Sequence, residues 1–281
     1  MFHCRRRNVL VEYPKSIPLR SDPTGRQVIT ILSTSQIKQY HQQGYLLASG
    51  LISEEISEKA ETVLWSLLEM RSDQPESWKT VPPHARVQTY RNLIDVTTTE
   101  PDLLACCTDE FMQSMAQLLE DPEAIAHRPN GINTINVFPT NEWSMGKAHI
   151  DGIELGGKKH RKTFPGPLRM VVLTFLSDIE TQGGGTMVWP RSHRLIRSLA
   201  ESDGKKYEYL QDLHNGLHVL ELEQPIELQP KRGDVLFFQH LFAHAGTTNV
   251  TSKPRFAFRY LCTCPACDKW KHSADWNLWT P

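Results

Sequence analysis

The stretch Lys147-Ala148-His149-Ile150-Asp151-Gly152 sets an imidazole and a carboxylate two residues apart. Along an extended chain successive side chains alternate faces, so His149 and Asp151 point the same way. One more imidazole would complete a face of two histidines and one carboxylate on a metal ion. Such a face leaves the opposite coordination positions open, which suits non-haem Fe(II) and oxygen chemistry. The triplet alone is a weak signal. With 12 His and 32 acidic residues among 281, a His-x-acid step arises about once or twice by composition alone.

A third nitrogen and a co-substrate anchor come late in the chain. From Arg232-Gly233-Asp234 the sequence runs through a turn and the apolar strand Val235-Leu236-Phe237-Phe238 to His240 and His244. Arg255 follows His244 by eleven residues, at the start of the next strand. A hairpin of this length would return Arg255 beside His244 and into the same cavity. An arginine there can grip a carboxylate bidentately, which is what a keto-acid co-substrate needs. Singly, His244 also reads as a packed core histidine and Arg255 as a surface charge.

The elements that must position these residues fall into two stretches. Residues 1–30 read as an irregular lead-in with three prolines. Residues 31–130 read as mostly helical support. In it Ser33-Thr34-Ser35 caps a helix that stops at Gly44, and Tyr45–Ala48 is a short strand. A second helix starts at Ser53 with Glu54 and Glu55 in its first turn, and a third lies near 109–120, ending before Asp121-Pro122. Their apolar stripes read as core. Residues 71–100, polar and carrying Pro75, Pro82 and Pro83, read as loop.

From 131 to 262 the pattern changes to short strands between turn residues. Residues 131–138 read as a half-buried strand, and Met170–Leu176 as a strand covered on both faces. Thr186–Trp189 follows the Gly183-Gly184-Gly185 turn, and Val219–Leu222, Ile226–Leu228, Val235–Phe238 and Phe256–Leu261 complete the set. The fold class expected is mainly β with flanking helices (α+β), built on a double-sheet jelly roll or barrel. Residues 263–281 form a tail, and the whole chain, 1–281, reads as one domain.

Composition narrows the function classes. A formal net charge of −1 gives no general pull towards nucleic acid or anionic membranes. No apolar run is long enough to span a membrane, and the N-terminus lacks a signal-type apolar segment. Six cysteines, two of them adjacent at 106–107, do not make a disulfide framework and point to a reducing, cytoplasmic setting.

Together these blocks resemble the phytanoyl-CoA dioxygenase family. The resemblance rests on His149-x-Asp151, Gly183 to His193, Gly233-Asp234-Val235-Leu236-Phe237, His244 with Arg255, and the openings Gln43-Gly44-Tyr45 and Leu51-Ile52-Ser53-Glu54-Glu55. It implies a double-stranded β-helix, a cupin-like jelly roll, that uses Fe(II), O2 and 2-oxoglutarate, with ascorbate as reductant. It implies His149, Asp151 and His244 as iron ligands and Arg255 on the C5 carboxylate of 2-oxoglutarate. Asn136 matches a position whose amide contacts 2-oxoglutarate in some relatives. The implied activity is hydroxylation of a small organic molecule, with 2-oxoglutarate decarboxylated oxidatively to succinate and CO2. Relatives that halogenate carry Ala or Gly where Asp151 stands, so its presence favours hydroxylation. The family usually has Gly where this chain has Arg191, a departure that falls in a turn, and Ser192 and His193 read as turn-capping residues.

Other readings stay open: a non-catalytic metal- or ligand-binding module of this fold, another oxidative outcome such as desaturation or ring formation, or hydrolysis on a cupin-like fold. Retention of all three ligands and of Arg255 favours the oxygenase. The basic run Lys158–Lys162 reads as a solvated loop or as a site for an anionic substrate. Cys262, Cys264 and Cys267, with His272, fall short of a structural zinc set. Trp270, Trp276 and Trp279 would close over the core or a partner. Substrate selectivity is expected from residues 71–110, 152–168 and 203–218, and the oligomeric state stays open.

Overall fold

Short alternating strands separated by turn residues cannot cover both of their faces alone, and here they stack into two facing sheets sheathed by helices. The structure, a computed structural model, describes residues 20–21, 27–28, 31–119, 128–153, 161–163 and 168–263. The chain divides into two units, residues 1–31 and 32–281. In the first, β1 (Arg20–Ser21) pairs antiparallel with β2 (Gln27–Val28). The second holds the remaining elements.

Its strands are β3 (Tyr45–Ala48), β4 (Arg86–Gln88), β5 (Leu93–Asp95), β6 (Thr97–Thr98), β7 (Ile132–Val137), β8 (Leu168–Phe175), β9 (Thr186–Val188), β10 (Ile226–Leu228), β11 (Val235–Gln239), β12 (His244–Gly246) and β13 (Arg255–Thr263). Its helices are α1 (Thr34–Gln43), α2 (Glu54–Leu67), α3 (Pro101–Leu104), α4 (Asp109–Leu119), α5 (Ser192–Ser202) and α6 (Leu210–Gly216). The major sheet runs β3-β11-β8-β13-β7-β5-β4, with β6 also on β7, and the minor sheet runs β10-β9-β12. All of these pairs are antiparallel.

Side-chain parity assigns the layers. One face of the major sheet, with Val172, Phe237, Phe256 and Phe258, packs under α1, α2, α3 and α4. The other, with Val171, Leu173, Leu236 and Phe238, meets Val188 and Leu228 of the minor sheet. The outer face of the minor sheet, with Met187, Ala243 and Ala245, is covered by Ile196 of α5 and Leu210 and Leu213 of α6. The result is a jelly roll with flanking helices.

The helix signals were local and hold. Ser33 and Gln36 form a capping box for α1, Gly44 ends it at φ 86°, and Ser53 accepts from Ile56 N–H at the start of α2. Each such N-cap contributes about 1 kcal/mol. Gly233, at φ 82°, is fixed by contact as well as conformation: a Cβ there would collide with the carbonyl oxygen of Ile52.

Four expectations need correction. Residues 71–100 hold a 3-10 turn at Pro75–Lys79 and strands β4, β5 and β6, because their polar residues alternate towards a cavity instead of lying in loop. These strands and β3 belong to the major sheet, so position 131 does not divide helical support from β core. Residues 219–222 form no strand: a 3-10 turn, Leu217–Val219, leads into irregular chain. The strand near 131–138 is covered on both sides, since Ile132 faces the helices and Ile135 the sheet interior. Among the described residues no helix is long and apolar enough to cross a membrane. Residues 120–127, the run 158–160, Cys264, Cys267, His272 and the three tail tryptophans lie outside the described residues.

Candidate metal centre

His149 does not sit in a regular strand, yet its backbone pairs with that of His244 through two hydrogen bonds, 3.0 and 3.1 Å. This bridge extends the minor sheet by one short segment beside β12. It sends His149 inward, Ile150 outward into the layer of α5 and α6, and Asp151 inward again. The expected same-side placement of His149 and Asp151 therefore holds. His244 is inward on β12 for the same reason, and Ser192 at the start of α5 steadies the chain leading to it by accepting from Ala243 N–H at 3.0 Å. The turn before that helix puts Arg191 at φ 61°, where glycine is favoured, and Arg191 pairs with Glu223 at 2.7 Å.

One ligating atom each from His149, Asp151 and His244 lies within 4.8 Å of the others. Nδ1 of His149 and Nδ1 of His244 each lie 3.1 Å from a backbone carbonyl, of Lys147 and Phe242 respectively. A carbonyl only accepts, so both Nδ1 atoms carry the proton and both Nε2 atoms present lone pairs. Asp151 Oδ1 accepts from Arg259 Nη1 at 3.0 Å, while its buried Oδ2 has no hydrogen-bond partner and stands 3.7 Å from His244 Nε2. An unpartnered buried carboxylate oxygen is costly unless something cationic faces it. Two aimed imidazole nitrogens and one bare carboxylate oxygen fit a divalent metal ion.

The electrostatics agree with that donor set. Burial, and then the neighbouring His244, lowers His149 to about 4, against the pull of Asp151. Burial also lowers His244. For Asp151 burial pushes upward, but Arg259 and both histidines outweigh it and hold the carboxyl below its ordinary value. At neutral pH the three side chains are thus two neutral imidazoles and a carboxylate, the protonation states that bind metal.

Across the gap, the major sheet contributes charge. Arg255 and Arg259, four residues apart on β13, both face the cavity, and Arg86 and Asp95 face it from β4 and β5. Arg86 Nε donates to both oxygens of Asp95 at 3.1 and 3.2 Å. Arg255 is 3% exposed, lies 5.4 Å from the ring of Phe175 and reaches Thr186 Oγ1 at 3.4 Å. Its Nε is buried without a partner, and among the described residues no carboxylate pairs with it. Burial, and then Arg91, lowers it to about 9, so it is still a cation at neutral pH. A buried cation this poorly compensated is suited to meet an anion. The inner cavity is small, about 80 Å³, and opens to a cleft of about 1160 Å³ that shares Gln88, Arg91, His149 and Arg259 with it.

Two sequence readings change here. Arg255 and His244 do share a cavity, but not by a hairpin: β12 pairs with β9 in the minor sheet, and β13 with β7 and β8 in the major sheet. The two residues face each other across the sandwich. Asn136 is not brought to the cavity. It lies on the helix-facing side of β7, where Nδ2 donates to Ile94 carbonyl at 2.9 Å and Thr134 Oγ1 at 3.0 Å. Asn133 and Ile135, on the opposite face of β7, line the cavity instead. Of the residues missed, Arg259 had a readable signal, since a strand places it on the same face as Arg255. Arg86 and Arg91 had none.

A jelly roll with three residues able to hold a metal ion and a buried arginine opposite them points to the class. The chain belongs to the phytanoyl-CoA dioxygenase family, whose model matches residues 40–257. It is an oxidoreductase family of iron- and 2-oxoglutarate-dependent oxygenases. A search of the curated proteins finds no match. Among solved structures, the carbocyclase SnoK from nogalamycin biosynthesis superposes with a TM-score of 0.57 at 16% identity, over 83% of this chain and 85% of SnoK. AviO1 from Streptomyces viridochromogenes superposes at 0.56 and 13% identity, over 85% and 98%. HygX from Streptomyces hygroscopicus, solved with nickel and 2-oxoglutarate bound, gives 0.50 and 16%, over 81% and 85%. At these identities the likeness is one of fold.

Proposed function

We propose that the protein hydroxylates a small organic molecule using Fe(II), 2-oxoglutarate and O2. His149, Asp151 and His244 would hold the iron through two Nε2 atoms and Oδ2, and Arg255 would hold the C5 carboxylate of 2-oxoglutarate. The observation that carries the reading is the bare Asp151 Oδ2 beside two imidazoles whose Nδ1 atoms are already committed, facing an arginine that lacks an anion. When bound, the iron supplies oxygen activation coupled to decarboxylation of 2-oxoglutarate.

The residues of the chain set up that chemistry. The carbonyls of Lys147 and Phe242 fix the tautomer and tilt of each imidazole. Arg259 occupies Oδ1 and so orients Oδ2 inward. Asp151 would supply a carboxylate ligand where relatives that halogenate carry Ala or Gly, which favours hydroxyl transfer over halogenation. The burial of Arg255 strengthens its grip on a carboxylate by excluding water. The buried thiols of Cys106 and Cys107 suit a reducing, cytoplasmic compartment, and residues 32–281 act as one catalytic unit.

The test is succinate release from 2-oxoglutarate with Fe(II) and ascorbate under air, wild type against His149→Ala. Succinate from the wild type alone is expected. Purified protein that binds neither Fe(II) nor 2-oxoglutarate at millimolar concentrations overturns the proposal.

A further inference from the structure

Among the described residues lining the inner cavity, Arg91 is the one cation that neither pairs with an aspartate nor is assigned to the proposed co-substrate. It ends the 3-10 turn Thr89–Arg91 at the tip of the β4–β5 hairpin. The next residue, Asn92, has φ 46°, and its Nδ2 donates to the Pro139 carbonyl at 3.0 Å, which pins the tip. Arg91 Nη2 donates to Gln88 Oε1 at 2.8 Å, while its Nε is buried with no partner. Arg86 and Arg259 each hold an aspartate, whereas no carboxylate among the described residues pairs with Arg91. Arg255 is confined to the inner cavity, and Arg91 lines both that cavity and the outer cleft.

Its placement depends on Gly246. A Cβ at Gly246 would collide with the Arg91 guanidinium and meets nothing else within 4 Å. The space that a larger residue on β12 would fill is thus used to lay a cation beside His149 and within the field of Arg255. Arg91 is half-buried, with Gln88 and, at 5.2 Å, the Tyr90 ring as its neighbours, and with the distal carboxylate of 2-oxoglutarate assigned to Arg255 its guanidinium is left for a second anion. The cleft beyond Arg91 has apolar walls, among them Ile153, Leu217, Leu220 and Leu222, with Tyr90 70% exposed beside it.

We propose that Arg91 binds an oxyanion group of the primary substrate, an organic acid whose apolar body lies along the outer cleft. The charged end would then lie where the inner cavity meets the cleft, on the side lined by His149. A planar guanidinium matches carboxylate or phosphate bidentately, so the shared chemistry is the oxyanion. This inference rests on the reading of the site as an iron and 2-oxoglutarate centre.

The experiment is calorimetric binding of octanoate, octyl phosphate and octanamide, three probes with one apolar chain, to protein saturated with Ni(II) and 2-oxoglutarate. Wild type should bind one of the two oxyanions at least about tenfold more tightly than the amide, the scale of a charge-assisted pair, and which oxyanion binds separates carboxylic from phosphoric acids. Arg91→Gln should erase that preference and lower 2-oxoglutarate affinity far less than Arg255→Gln does, since it removes neither a ligand nor the Arg255 anchor. Gly246→Ala should weaken the same preference by displacing Arg91 with its charge intact. Three results overturn the proposal: no oxyanion preference in wild type, a preference that survives Arg91→Gln, or a loss of 2-oxoglutarate affinity in Arg91→Gln as large as in Arg255→Gln. Failure of the underlying reading is distinct. It shows as wild type that takes up no nickel or 2-oxoglutarate, while the oxyanion preference is read separately on metal-free protein.

Discussion

The two sheets that enclose the cavity do different work. The minor sheet and the segment bridged to it bring His149 and His244, neutral nitrogen donors held by the backbone carbonyls of Lys147 and Phe242. The major sheet brings Arg86, Arg255 and Arg259, cations held by strand parity on β4 and β13. Asp151 and Arg259 form the link between the two groups. Metal affinity should therefore follow the minor sheet, and anion affinity the major sheet.

The largest effect should come from breaking the minor-sheet side. His244→Ala removes one of three ligands, so nickel uptake should vanish at concentrations that saturate wild type, and succinate release should fall to background. Uptake equal to wild type would remove His244 from the centre. A smaller effect is expected at the link. Arg259→Gln leaves all three ligands but frees Asp151 Oδ1, so metal affinity should fall about tenfold, as for other residues that orient a ligand. Arg259→Lys should recover part of that loss, and unchanged metal affinity in Arg259→Gln would show that Asp151 needs no anchor.

The smallest effect is on stability. Burial lowers His149 and His193 to about 4 and His240 to about 3, all below the ordinary 6.5 that they regain on unfolding. As pH falls below 6.5 the unfolded chain takes up protons that the native histidines refuse, so stability drops with acidification. The lowered Asp151 keeps its own contribution until pH falls below its unfolded value of 3.8. The Tm of metal-free protein should fall on the order of several degrees between pH 6.5 and 4. A flat Tm across that window would show that these rings are not buried neutral.

The difference between the sheets also explains what the sequence made legible. His149, Asp151, His244 and Arg255 stand at fixed offsets from turns and apolar strands, so local pattern reaches them. The caps at Ser33 and Ser53 are local for the same reason. Arg86 and Arg91 lie in a polar, proline-bearing stretch whose short strands gain their order only by pairing with β7, which no local pattern encodes. Asn136 came from the resemblance alone, and in β7 its side chain turns away from the cavity towards Ile94 and Thr134. The Arg255 cavity was anticipated, but through a hairpin, when the strands that frame it lie in separate sheets.

The most direct test is calorimetric titration of 2-oxoglutarate into nickel-loaded wild type and Arg255→Gln. Arg255→Gln should bind nickel as wild type does and 2-oxoglutarate at least about thirtyfold more weakly, the effect of truncating one partner of a buried charge pair. Equal 2-oxoglutarate affinity in the two proteins would contradict the division of labour between the sheets.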